Sequence, residues 1–83
     1  MSITELLAQK EAEYGNAVEN MDRLAEVWDW YLSHVTLPLT GKDAALMNVL
    51  FKVSREIGKH KPDNADDIIG YANIAKQCAE VTK

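Results

Sequence analysis

Eighty-three residues with nine basic and thirteen acidic side chains, a formal charge of −4 and 47% hydrophobic content describe one folded domain over 1–83. The acidic balance, with no basic stripe to offset it, argues against polymeric nucleic acid as a partner. No run approaches the roughly 18 apolar residues of a membrane span, so no membrane role is expected.

The first fifteen residues, MSITELLAQKEAEYG, place charges where a secretory signal needs an apolar stretch and read instead as a short helix. Ser2-Ile3-Thr4-Glu5 has the spacing of a capping box. The helix is expected to run to about Glu13 and stop near Gly15, which suits a left-handed C-terminal position.

A second helix is predicted over roughly 16–34. Val18, Met21, Leu24, Ala25, Trp28, Tyr31, Leu32 and Val35 recur at three- and four-residue spacing and define one apolar stripe. Trp30 falls off that stripe, at the rim of a neighbouring helix or at an interface. The only strand-like letters are VTLPL at 35–39, too short to change an all-helical reading.

Thr40 is the expected cap of a third helix, with Asp43 at its third position. Leu46, Leu50, Val53 and Ile57 form one stripe, and Met47, Phe51 and Ser54 a second. A helix apolar on two sides is usually packed by neighbours on both, so this one is expected to be central. Its remaining face carries Lys52, Arg55, Glu56 and Lys59.

The fourth helix is expected to start after Pro62, capped by Asp63 or Asn64, and to continue close to the C-terminus. Ile68, Tyr71, Ala72, Ala75, Cys78 and Ala79 line one face. Cys78 is the single cysteine, which excludes an internal disulfide, fits a reducing cytoplasm and reads as a small buried hydrophobe. The fold class is therefore all-α, a compact bundle of three long helices plus a shorter N-terminal one. A chain this short buries only roughly 60% of its unfolded surface, so a homo-oligomer is expected, through the small-residue faces of helix two or four.

Asp63 and Asp66 are explained by the positive end of the fourth helix. Asp67 borders the apolar face and needs a partner there. Antiparallel packing of the last two helices supplies one, as Arg55–Asp67 or Lys52–Asp67; a structural ion pair is the simpler reading and a ligand site the alternative. Metal binding finds little support. Glu19 and Asp22 have ExxD spacing and Asp66-Asp67 adds two acids, but no second glutamate pair is present. His34 and His60 are isolated, which speaks against zinc. No nucleophile elbow or glycine-rich phosphate loop occurs, so no catalytic residue, metal or cofactor is assigned. Tyr14 and Gly15, with Lys10 and Asn20, form a third polar cluster that either packs or closes a pocket.

In order, Lys10, Tyr14-Gly15, Asn20, Trp28, Leu39-Thr40 with Asp43, Lys52 with Arg55, and Asp67 with Gly70-Tyr71-Ala72 resemble a family of small bacteriophage and prophage proteins. The likeness covers about residues 10–75. The K-x-x-R and D-x-x-x-Y-A elements also look like a phage nucleotide-modification-associated helical domain and, more distantly, the all-α nucleotide pyrophosphohydrolases. The resemblance implies a role around nucleotides in an infected host's cytoplasm. It gathers Lys52, Arg55, Asp67, Tyr71, Tyr14 and Asn20 into a ligand site. The cations would hold a phosphate, Tyr71 or Trp28 would stack a base, Asp67 would orient Arg55, and Gly70 would admit a ligand or helix to the backbone. Three functions follow as expectations: binding of a nucleotide or other phosphate-bearing small molecule, interaction with a host or defence protein, and Mg-dependent pyrophosphohydrolysis.

Overall fold

A computed structural model describes residues 2–81, with the side chains of Glu11, Glu13 and Tyr14 outside that description. Four helices follow one another: α1 (Ile3–Tyr14), α2 (Ala17–Leu32), α3 (Gly41–Gly58) and α4 (Pro62–Val81). Among the described residues there is no strand, and the all-α class holds; 35–39 is an irregular link with a cis Leu37–Pro38 peptide.

Local chemistry sets most helix ends. Ser2 Oγ accepts from the Glu5 amide (3.1 Å), which starts α1. Gly15 turns the chain in the left-handed region at φ +83°, and Asn16 caps α2 by accepting from the Glu19 amide (3.0 Å). Thr40 and Asp43 form the expected reciprocal capping box of α3.

The start of α4 differs from expectation. The helix begins at Pro62 itself, the favoured first position, so neither Asp63 nor Asn64 is its cap. The acceptors come from α3 instead. Glu56 Oε1 accepts from the Lys61 amide (3.1 Å) and from Asn64 Nδ2 (3.0 Å), and Oε2 pairs with His60 Nδ1. Asn64 is buried as a result. These hydrogen bonds, that from Asn64 foremost, hold the Glu56 carboxyl down at about 2.

The three-residue link 59–61 folds α4 back along α3, and a side chain added at Gly41 would touch Cys78 Sγ at 3.4 Å, so the two helices run antiparallel. Cys78 is half-buried rather than enclosed. As expected, α3 is central, flanked by α4 and α2, while α1 packs chiefly on α2. The molecule measures 49 × 25 × 21 Å, and its radius of gyration of 15.0 Å exceeds the roughly 12 Å of a compact domain of this length.

The core is thin. Tyr31, Ala45 and Ala75 are its buried apolar members, matched by buried Asn20, Asp43, Ser54 and Asn64. Among the described residues no buried side-chain nitrogen or oxygen lacks a partner. The Tyr31 hydroxyl donates to Asp43 Oδ1 (2.8 Å) and ties the end of α2 to the start of α3. Burial, then this bond to a carboxylate, pushes the Tyr31 hydroxyl up to about 12. Asp43 is held below the usual carboxylate range, first by the Thr40 amide and then by the Tyr31 hydroxyl.

Two predicted stripes are only half used. On α2, Leu24, Trp28 and Tyr31 turn inward, whereas Val18, Met21, Ala25 and Leu32 stay exposed. The apolar arc of α2 is wider than the strip one neighbouring helix can cover. On α3, Leu46 and Leu50 are half-buried but Val53 and Ile57 are exposed.

Candidate functional site

The junction between the start of α2 and the end of α3 is built on missing side chains. A methyl on Gly58 would lie 2.2 Å from Asn20 Oδ1 and 3.0 Å from Arg23 Nη1. Gly58 therefore lets both side chains reach the α3 backbone. Arg23 Nη1 donates to Asn20 Oδ1 (2.9 Å) and to the Ser54 carbonyl (3.1 Å), pinning α2 to α3. Gly15 also comes close, though less so, since a methyl there would stand 3.1 Å from the Gly58 carbonyl oxygen.

Beside this junction opens a cavity of about 390 Å³ between α1, α2 and α3. Lys10 of α1, the buried Asn20 of α2 and Arg55 of α3 supply its polar wall. Met21, Leu24 and Phe51 supply most of the apolar wall. The size lies within the roughly 300–1,000 Å³ of small-molecule sites, and the mixture of an apolar wall with few polar groups is typical of them. Arg55 places its guanidinium carbon 5.0 Å from the Phe51 ring centroid, so a planar cation lies over an aromatic face at the cavity wall.

The remaining candidates gather elsewhere. Lys52 Nζ meets Asp67 Oδ2 at 2.9 Å, one of the two pairings left open by the sequence. Lys52 also lies 5.6 Å from the Phe51 centroid, on the same ring as Arg55. Asp67, Gly70 and Tyr71 line a separate open depression on α4 with Asp66 and Ile74. A side chain on Gly70 would meet nothing within 4 Å, so this glycine serves no close approach within the chain.

The six predicted ligand residues thus divide. Arg55 and Asn20 share the cavity; Asp67 and Tyr71 share the depression; Lys52 joins the second group through its ion pair. Tyr14 ends α1 near the cavity's Gly15, but its side chain lies outside the described residues. Trp28 is half-buried and is not among the lining residues of either hollow. Among the described residues no group of three His, Cys, Asp or Glu side chains converges as metal ligands.

Sequence reasoning missed Arg23 and Phe51 as site-forming residues, and left Lys10 outside the ligand set. Arg23 could have been found, standing three residues after Asn20 on one helical face. Phe51 reads as core from spacing alone, because its role depends on which cations fold over it.

The family model of a domain of unknown function, DUF6378, matches residues 3–79. The "Gene 55 protein" of Mycobacterium phage L5 is 38% identical over 71 residues, which is 83% of this chain and 44% of that protein. The chain therefore spans less than half the length of this relative. No solved structure matches.

Proposed function

Because the chain belongs to the DUF6378 family, a phage-associated family, we propose that it is a binding protein for a phosphate-bearing small molecule of the nucleotide class, acting inside an infected cell. The observation that carries this reading is the cavity, where Lys10 and Arg55 face an aromatic and aliphatic wall beside the buried Asn20 amide. Two cations lining one hollow, Lys10 from α1 and Arg55 from α3, favour an anionic group, and Arg can grip phosphate through a bidentate pair. The Phe51 and Leu24 side offers apolar surface for a base. Docking there needs local positive charge only, so the overall charge of −4 opposes a polyanion far more than a small anion. Lys52 and Asp67 support the site indirectly, by pairing α4 with the helix that carries Arg55. The reading assigns no catalytic step.

The test is a thermal-shift panel of mono-, di- and triphosphates against the unligated protein. A shift with at least one phosphate-bearing ligand, lost in Arg55→Ala and reduced in Lys10→Ala, supports the reading. No shift with any member sinks it. A second reading, capture of a host or defence protein, rests on Trp30, which is 59% exposed with its ring 5.2 Å from His34. Large exposed aromatics are over-represented among residues that dominate protein interfaces. Trp30→Ala should abolish any such capture while leaving the nucleotide shift intact.

A further inference from the structure

The surface of the chain is larger than a free-standing domain of its mass requires. Its accessible area is 5,971 Å², whereas a compact monomer of 9.3 kDa exposes about 5,000 Å². The difference, roughly 1,000 Å², is what one partner contributes to an ordinary stable interface, about 800 Å² a side.

Among the described residues, large apolar side chains are exposed on every helix, Ile57 of α3 and Ile69 of α4 included, and half of them belong to α1 and α2. On α1, Ile3 is 77% and Leu7 58% exposed; on α2, Val18 is 69% and Met21 57% exposed, with Leu32 further along the same side. From Val18 the α2 apolar positions recur at 18, 21, 25, 28 and 32, the alternating three–four spacing by which one helix packs along another. Only the inner part of that arc meets α3. The outer part continues towards α1, which packs loosely on α2 and leaves Ile3, Leu6 and Leu7 exposed.

Helix α1 adds an independent argument. It has 12 residues and is the most loosely attached of the four helices. Isolated helices of about 12–15 residues are marginal in water, and a helix in a protein draws most of its stability from a buried apolar face. For α1 that face is Ile3, Leu6 and Leu7, and its own chain leaves all three exposed.

We infer that the outer faces of α1 and α2 form a two-fold interface with a second copy of the chain. A self-complementary patch is what such an interface needs, since each copy offers the same surface. The inference is independent of ligand binding. It nevertheless has a geometric consequence for the cavity: Met21 belongs both to the cavity wall and to the apolar strip, so the second copy lies at the cavity's rim.

Sedimentation equilibrium of the full chain without ligand, from micromolar to hundreds of micromolar, tests the inference. The expected species has twice the 9.3 kDa chain mass. Val18→Glu combined with Leu7→Glu should give a folded monomer with less helix by circular dichroism, because α1 frays once uncovered. Ile69→Glu, on exposed α4 surface, should remain a dimer. A wild-type monomer across the whole range overturns the inference and leaves the face to a different protein. A dimer broken by Ile69→Glu but not by the Val18/Leu7 pair overturns the placement.

Discussion

The substitution Gly58→Ala has an expected sign opposite to the one its helical position suggests. Alanine in place of a helical glycine ordinarily stabilises, by roughly 0.5–1 kcal/mol in a helix interior and less at the last helical position that Gly58 occupies. Here the added methyl would stand 2.2 Å from Asn20 Oδ1, more than an ångström inside the 3.4 Å of ordinary contact. Asn20 is buried and cannot swing into solvent without releasing Arg23 Nη1, whose bond to Oδ1 is 2.9 Å. A hydrogen bond to a charged group is worth roughly 1.5–3 kcal/mol, and its loss outweighs the gain in propensity. Gly58→Ala should therefore lose about 1–2 kcal/mol, a fall in Tm of roughly 4–15 °C for a domain of this size. Urea unfolding at fixed protein concentration reads this directly. A double-mutant cycle isolates the cause: in an Asn20→Ala background the obstructing oxygen is gone, and Gly58→Ala should become neutral or stabilising. If the substitution stabilises the wild-type background, or costs the same in both, the glycine–asparagine fit is not what holds α2 to α3.

Three further outcomes follow from other bonds. Glu56 has a folded-state pKa of about 2 against an ordinary 4.5, so the stability it contributes is complete above about pH 4.5 and disappears as pH falls towards 2; urea midpoints measured from pH 6 to 2.5 should fall less steeply in Glu56→Gln than in wild type. Tyr31 behaves in the opposite sense, its contribution being full below pH 10 and lost as pH rises through about 12; ultraviolet titration should show a late-ionising tyrosine that Tyr31→Phe removes, with a stability loss of about 1 kcal/mol. The Lys52–Asp67 pair, with Asp67 43% exposed, should be worth under about 1 kcal/mol in a double-mutant cycle and should weaken in 1 M salt.

What could be read from the sequence was the part governed by neighbours in the chain. The Thr40–Asp43 capping box, the Ser2 start and the left-handed Gly15 depend on residues a few positions apart, and all are present. The Lys52–Asp67 pair was legible as one of two alternatives, the other being Arg55–Asp67, because a short link forces antiparallel packing and limits which turns of α3 and α4 can meet. Bonds between helices were not legible where they depend on how the helices roll and cross. Tyr31–Asp43, Arg23–Ser54 and Glu56–Asn64 each join elements whose relative rotation no local pattern states. The same reason explains the division of the predicted ligand set. Lys52 and Arg55 are three residues apart and share a face, yet Lys52 leans to α4 while Arg55 borders the cavity towards α2. The α2 stripe was legible as apolar, but not as half uncovered, because a sequence does not say how many helices will be laid against a stripe.

The capping of α4 by Glu56 also bears on the order in which the molecule assembles. Residues 56 to 64 close a small ring of bonds around a three-residue link, so α3 and α4 can pair before any distant part of the chain arrives. Helix α2 then joins through Arg23 and Tyr31, and α1 attaches last and most weakly. Amide exchange should grade accordingly, slowest along the α3–α4 hairpin, intermediate in α2 and fastest in α1. A growing chain would thus display its first two helices before the hairpin that organises them has been made.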